Sequence, residues 1–377
     1  MLHLYAPSAT ASISTFQSLA TSYDLDILRV DNNIDAVNFA LDIDRWKSPN
    51  TTERMASSTN VTATYTIYAE LCAPTTSNEE DVIQILTHGA IFDHRYWDAA
   101  IDPAQYPYVQ AALEAGYTVF TYDRLCNGLS DKPDAYTIGQ GPTELEIPRA
   151  LTEMVRSGTL SKSLHEGSVL NPVAPFEKAV HIGHSFGSQL TAALLTSYGH
   201  LSSGAILTGL LFATHTAQAS TAQLGFEFAA TNNPALFGDR GSGYIVPSDV
   251  SKLELNLFHR YNDTDASDST DGALAFAEGI KQPLTVGEWM SLRGLLDVGM
   301  APAFTGPLQF FAAEYDALVC GGDCKSNYDL ATLDAIYPNA SAKEVSIQPG
   351  AGHRLTLHRN ASAGYAVMMD FLESNGL

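Results

Sequence analysis

The pentapeptide Gly183-His184-Ser185-Phe186-Gly187 constrains this chain more than any other short stretch. It reads G-x-S-x-G and follows the apolar run Ala179-Val180-His181-Ile182. The residues after it, Ser188-Gln189-Leu190-Thr191-Ala192-Ala193-Leu194-Leu195, are competent to form a helix. Strand, sharp turn and helix in that order put a serine on a strained turn. The flanking glycines let backbone and helix approach with no Cβ between them. Backbone N–H groups at the helix start then point toward negative charge developing beside the serine. The pentapeptide also arises by chance, so its meaning depends on the rest of the chain.

That rest alternates strand and helix. Val61–Cys72 alternates and is rich in β-branched and aromatic residues, which predicts an antiparallel edge strand. Buried strands are expected at Asp81–Thr87, Tyr117–Tyr122, Ala205–Thr208, Leu308–Ala312 and Glu344–Ile347. Helices are expected around 108–115, 143–163, 326–336 and 363–373. The class is α/β, with a mostly parallel central sheet flanked by helices. Strand signals lapse between 212 and 304, where Phe212, Phe226, Phe228, Phe237, Tyr244, Phe258, Trp289 and Phe304 accompany helical segments and a polar loop at Asn262–Asp271. This stretch is expected to be a largely helical cap, or lid, above the strand ends where ligands bind. The expected organisation is an N-terminal extension at 1–60, a core at 61–211 and 305–377, and a cap at 212–304. In the extension, Ala36–Asp44 with Trp46 suggests a packed strand.

With 377 residues and 45% hydrophobic residues, the chain can bury a sizeable core. Lys and Arg total 20 against 42 Asp and Glu, a formal charge of −22, which argues against nucleic acid and anionic membranes as partners. No apolar run is long enough to span a bilayer. The N-terminus, Met1-Leu2-His3-Leu4-Tyr5-Ala6-Pro7, does not read as a signal peptide. Sequons at Asn50, Asn60, Asn262, Asn339 and Asn360, and an even count of four cysteines (Cys72, Cys126, Cys320, Cys324), lean toward an extracellular protein, with the cytoplasm as the alternative.

A serine nucleophile needs a base, an acid to orient that base, and two N–H donors for an oxyanion. In this architecture the order along the chain is Ser, then acid, then His. His353, in the Gly-rich loop Gln348–Gly352 past a strand, is the expected base, and His358 the less favoured one. Asp316, after the strand at Leu308–Ala312, is the expected acid, with Glu314 and then Asp323 behind it. The oxyanion donors would be the N–H of Phe186 and that of Ala90 in His88-Gly89-Ala90. His184 reads as a packed neighbour of the serine. It is also a candidate for substrate contact, with His88, Trp289 and Phe212. The set His88, His94, His181 and His184 lacks metal-ligand spacing, so no metal site is expected.

These residues resemble the α/β-hydrolase superfamily over about 60–375, and more narrowly the fungal, often secreted, esterase- and lipase-like branch. The resemblance is carried by Leu71-Cys72-Ala73-Pro74, His88-Gly89, Tyr122–Asp131, Gly183–Gly187, Cys320–Cys324 and Gly352-His353 with His358-Arg359-Asn360-Ala361. It implies a serine hydrolase without metal or organic cofactor. Cys126 stands where the family's D-R-x-G-x-G-x-S loop has a glycine; a bridge to Cys72, a buried thiol or a tolerated small residue would each fit. Cys320 and Cys324 are close enough to close a small loop beside Asp316, as a bridge or as free thiols. Ser185 argues against epoxide hydrolases and haloalkane dehalogenases, which carry Asp there.

The leading expectation is hydrolysis of a carboxylic ester or lactone of a medium-sized, largely apolar small molecule. One alternative is a secondary-metabolite enzyme catalysing cyclisation, condensation or acyl transfer. The other is a non-catalytic ligand-binding protein.

Overall fold

A computed structural model of the protein describes residues 4–5, 9–23, 29–44, 54–74, 82–160, 174–211, 221–258, 272–296, 299–325, 328 and 330–377. The described strands are β1 (Leu4–Tyr5), β2 (Ala9–Tyr23), β3 (Met55–Ala73), β4 (Val82–Thr87), β5 (Thr118–Tyr122), β6 (Lys178–His184), β7 (Gly204–Thr208), β8 (Phe226–Phe228), β9 (Tyr244–Pro247), β10 (Leu284–Thr285), β11 (Leu308–Ala313) and β12 (Lys343–Gln348). The main helices are α1 (Asn33–Asp44), α2 (Tyr108–Glu114), α3 (Gly141–Ser157), α4 (Phe186–Tyr198), α5 (Val250–Leu257), α6 (Ala273–Gly279), α7 (Val286–Leu296), α8 (Leu330–Ile336) and α9 (Ala361–Ser374).

The main sheet runs β3-β5-β4-β6-β7-β11-β12 in space, with β1 and β2 pairing along the outer side of β3. From β5 to β12 every pairing is parallel. The parallel strands β4, β7 and β11 are buried along their whole length, as sheets covered on both faces require. Side chains alternate between two cores. Ile83 and Ile85 pack on one face with Phe120, Tyr122 and the α3 residues Ile147 and Leu151. Val82 and Leu86 pack on the other with Val119, Ile182, Tyr108 of α2 and Tyr365 and Met368 of α9.

The chain leaves β4 toward β5 on one side and returns to β6 on the other. The crevice at this reversal opens beyond the carboxyl ends of β4 and β6, the place where such sheets bind ligands. The ends are level there: Thr87 pairs with Gly183, and His184 with Thr208.

Two expectations are corrected in the N-terminal third. β3 is antiparallel but not an edge, because β1 and β2 cover its outer side. Residues 33–44 form a helix, not a strand. Ala36, Phe39 and Ala40 are buried at helical spacing, and the Asn32 side chain accepts from the Asp35 N–H to start the first turn. Trp46 lies outside the described residues.

Between β7 and β11 the described residues form α5, α6, α7 and short helical turns, together with a separate antiparallel sheet β10-β9-β8. The N-terminal segment packs on this insertion. Asn33 accepts from the Phe228 N–H and the Thr231 hydroxyl, and Val30 accepts from the Gly243 N–H. Thr285 and Glu288 start α7 with a reciprocal pair: Glu288 N–H to Thr285 Oγ1 at 3.0 Å and Thr285 N–H to Glu288 Oε2 at 2.6 Å. Phe212, Asn50 and the loop Asn262–Asp271 lie outside the described residues.

Cys320 and Cys324 form a disulfide. Cys72 and Cys126 do not pair; both are buried free thiols. Cys72 belongs to the core on one face of the sheet and Cys126 to the core on the other, so their sulfurs are separated by the sheet itself. Among the sequons, Asn60 and Asn339 are exposed. Asn360 is half-buried, and its amide is bonded to Gln348 and to the Pro349 carbonyl.

Candidate functional site

β6 delivers Ser185 to the crevice at φ 54° and ψ −118°, a left-handed conformation unusual for a residue with a side chain. Such backbone costs on the order of 1–3 kcal/mol and persists only where its surroundings impose it. Here they do. A Cβ on Gly187 would lie 2.2 Å from the Thr87 carbonyl oxygen, and one on Gly183 would lie 2.5 Å from the Gly187 carbonyl oxygen. Both glycines therefore let α4 press against the ends of β4 and β6. The Ser185 N–H donates to Thr208 O at 2.9 Å, pinning the turn, and Ser185 itself is only half-buried. The N–H groups of the first turn of α4, Phe186 first among them, have no acceptor within the helix.

The loop after β4 lies directly over the serine: a Cβ on Gly89 would be 3.1 Å from Ser185 Cβ. Ala90 follows in that loop and packs in the same small cluster as Phe186 and the α7 residues Leu292 and Leu295. Ile91 next holds φ 61°, strained for a β-branched residue. His88 fixes this loop from inside. Its Nε2 accepts the Arg124 N–H at 2.9 Å, so its proton is on Nδ1, which donates to Gly89 O at 2.8 Å. Burial pushes its pKa down to about 3, keeping it neutral as that bonding requires. With both ring nitrogens occupied, His88 is a strut of the loop and not a substrate contact.

The Arg124 guanidinium covers the Phe186 ring at 4.5 Å and bonds Glu144 of α3 and, at 2.8 Å, Glu288 of α7. One buried arginine thus ties the loop after β5, the core helix α3 and the insertion to the start of α4.

Asp316 and His353 meet directly, Nδ1 to Oδ2 at 2.6 Å, both buried. The other carboxylate oxygen, Oδ1, accepts from the N–H groups of Leu318 and Val319, the first turn of the short helix Ala317–Cys320. The disulfide closes the loop that follows, where the Gly322 N–H returns to Asp316 O. Glu314 faces away, pairing with Lys325 and accepting the Gly350 N–H, and Asp323 is exposed. His358 is buried behind the base loop, where its Nε2 accepts the Gly352 N–H at 2.9 Å.

His184 links base and nucleophile. Its ring lies 4.8 Å from that of His353 and stacks on Tyr96 at 4.5 Å. Thr208 Oγ1 donates to Gly183 O, so it accepts from His184 Nδ1–H at 2.9 Å. Fully buried, His184 serves as packing beside Ser185 and not as a binding surface. Trp289, half-buried on α7, packs edge-on against Phe226 at 5.6 Å within the insertion.

Several neighbours escaped sequence reasoning. Asp93, His94 and Asp123 bring their side-chain ligand atoms within 4.8 Å of one another. Those atoms are bonded already: Asp123 accepts from His94 Nδ1, His94 N–H and Leu129 N–H, while Asp93 holds Arg95 and Gln282. The signal that could have found them was Tyr122–Asp131 itself, whose Asp and Arg both point inward under the site. Among the described residues, no helix is long and apolar enough to cross a membrane.

Residues 84–366 match the model of the alpha/beta hydrolase family. The sequence matches none of the curated proteins with which it was compared. Among solved structures the chain is similar to a bromoperoxidase from Bacillus anthracis (18% identity, TM-score 0.51, 82% of this chain and 96% of that one). It is also similar to a monoacylglycerol lipase from Paleococcus ferrophilus (13%, 0.53, 82% and 99%) and an enol-lactonase from Burkholderia xenovorans (12%, 0.51, 82% and 97%). At these identities the likeness is one of fold. With the family model spanning most of its length, the chain belongs to the alpha/beta hydrolase family.

Proposed function

We propose that the protein is a serine hydrolase that cleaves a carboxylic ester or lactone through Ser185, His353 and Asp316. The observation that carries this reading is the 2.6 Å bond from His353 Nδ1 to Asp316, at the same crevice as the strained Ser185 turn. With Nδ1–H given to the carboxylate, Nε2 is the free base of the ring. It takes the Ser185 proton as Oγ attacks the acyl carbon, and Asp316 stabilises the resulting imidazolium. The carbonyl oxygen, now negative, is received by the N–H groups of Ala90 and Phe186. Collapse expels the alcohol, which takes the proton from His353. Water then repeats the sequence on the acyl-enzyme and releases the acid.

Within this reading the insertion acts as a lid. Supporting it, Leu292 and Leu295 of α7 pack on Ala90 and Phe186, and Glu288 anchors α7 to Arg124. An apolar roof of this kind favours a medium-sized, largely apolar substrate. The Cys320–Cys324 bridge fits an oxidising, extracellular setting. The test is a panel of acyl esters and lactones of graded chain length. Turnover that disappears in Ser185→Ala supports the reading, and a panel without turnover by well-folded protein overturns it.

A further inference from the structure

The Cys320–Cys324 bridge spans a sequence separation of only 4. A disulfide constrains the unfolded chain more as its loop lengthens, so one this short contributes little as a staple of the whole fold. Its position points to a local task. Cys320 ends the helical turn Ala317–Cys320, and the same turn supplies the two N–H groups, of Leu318 and Val319, that hold Asp316 Oδ1.

A helix of four residues does not persist by itself, because nucleation is unfavourable and a single turn recovers almost no internal bonds. This one is followed by Gly321 and Gly322, at φ 65° and 95°, with nothing within 4 Å of where a Cβ would stand on either. Glycine backbone in open space does not hold a turn in place. Two contacts tie the turn to the body of the protein. Val319 packs in a small core with Ala312 of β11 and with Cys324, and the Cys320 sulfur is bonded to that of Cys324. Cys324 is the fixed end. It is fully buried, and its N–H donates to Glu314 O at 2.9 Å, just past β11. Asp316 O accepts from the N–H groups of Cys320 at 3.2 Å and Gly322 at 2.9 Å. Backbone and side chain of the acid are thus both bonded to the segment that the bridge closes.

We propose that Cys320 and Cys324 are positioning residues for the acid: their bridge holds the turn that fixes Asp316 Oδ1, and so aims Oδ2 at His353. The effect on turnover rests on the hydrolase reading; the hold on the Asp316–His353 pair does not. Cutting the bridge is a thiol–disulfide exchange. The thiolate of a dithiol attacks Cys320 Sγ, on the half-buried end, and Cys324 leaves as a thiolate that takes a proton. The second thiol of the reagent then displaces Cys320, leaving two protein thiols and the reagent as a cyclic disulfide. The freed turn lets the Asp316 carboxylate rotate, and the base loses its orientation. Activity is thereby tied to oxidising surroundings.

The test compares oxidised protein, protein reduced with dithiothreitol, and the Cys320→Ser/Cys324→Ser double variant, each followed by circular dichroism. On an activated ester, reduction should lower kcat about 10-fold with little change in KM, a partial loss because Val319 keeps its packing. Reoxidation should restore kcat. The double variant should match reduced protein and ignore dithiothreitol, since the buried thiols Cys72 and Cys126 play no part. The second readout needs no turnover. The His353 Nδ1–H, given to a carboxylate at 2.6 Å, should show a proton resonance far downfield of the amides, identified by its loss in His353→Gln. Reduction should weaken or remove it. A bridge that merely stiffens its loop would lower the melting temperature and leave kcat and the resonance unmoved. Either one unmoved in reduced, folded protein overturns the proposal. So does global unfolding on reduction, or a loss of activity that dithiothreitol also causes in the double variant. A resonance that responds to reduction in protein without turnover upholds the positioning and counts against the hydrolase reading alone, so the two failures are distinguishable.

Discussion

Asp316 divides its carboxylate: Oδ2 receives the Nδ1–H of His353 at 2.6 Å, while Oδ1 is held by the N–H groups of Leu318 and Val319. The acid is thus fixed by backbone before it orients the base, and the two jobs can be separated by mutation. Asp316→Asn keeps an oxygen for the helix turn but offers an NH₂ to His353, which then turns its proton to the wrong nitrogen. Folding should survive, while kcat on an activated ester falls by about 10⁴ with little change in KM. Steady-state kinetics with circular dichroism checks this. A variant with near-native kcat would remove Asp316 from the mechanism.

Arg124→Met should be costly in a different way. It leaves Glu144 and Glu288 buried beside each other without their shared cation, a loss of about 3–5 kcal/mol. Burial already pushes the Glu144 pKa well up, so without Arg124 this carboxyl would take a proton. Urea unfolding measures the loss, and adding Glu144→Gln and Glu288→Gln should recover part of it. If the single variant unfolds at the native urea concentration, the buried triad is not a structural tie.

Stability should fall in mild acid. Burial holds the imidazoles of His88 and His181 at pKa values of about 3, and that of His184 well below its ordinary value of 6.5. The unfolded chain therefore takes up these protons first, so the stabilisation is complete above pH 6.5 and declines as pH falls toward 3. The slope is about 1.4 kcal/mol per pH unit for each histidine. His94 works the other way. Burial opposes its charge, but the bond and charge of Asp123 prevail and raise its pKa, so its contribution is lost as pH rises past neutrality. Melting between about pH 7.5 and about pH 5 should steepen accordingly, and His181→Gln should flatten that decline. An identical decline in the variant would count against this assignment.

Gly187→Ala isolates the close approach behind the nucleophile. The new Cβ would meet the carbonyl oxygens of Thr87 and His88, both backbone and unable to move aside. Activity should be lost with clear destabilisation. Gly241→Ala, where a Cβ meets nothing within 4 Å, should be silent in the same melting and activity measurements.

The central strands were legible because a strand covered on both faces must be continuously apolar, as in Val82–Thr87 and Gly204–Thr208. The residues around the crevice were legible because each follows a strand at a turn with distinctive chemistry. Elsewhere the signal was ambiguous or absent. In α1, Ile34, Val37 and Leu41 remain exposed while Ala36, Phe39 and Ala40 are buried, so the helix is apolar around much of its circumference and its period is blurred. Its start, where Asn32 and Asp35 bond each other, was the clue that could have been read. The strands β8 to β10 are two to four residues long, too short to leave a periodic trace. Cys72, on β3, packs into one core and Cys126, in the turn after β5, into the other, a separation that no spacing reveals.

The most direct measurement is labelling of the folded protein with a fluorophosphonate, followed by mass-spectrometric mapping and a Ser185→Ala control. A single adduct on the peptide carrying Ser185, absent from the control and strongly slowed in His353→Gln, is the expected result. Well-folded protein that takes no label, or that is labelled equally well without Ser185, would contradict the assignment of Ser185 as an activated nucleophile.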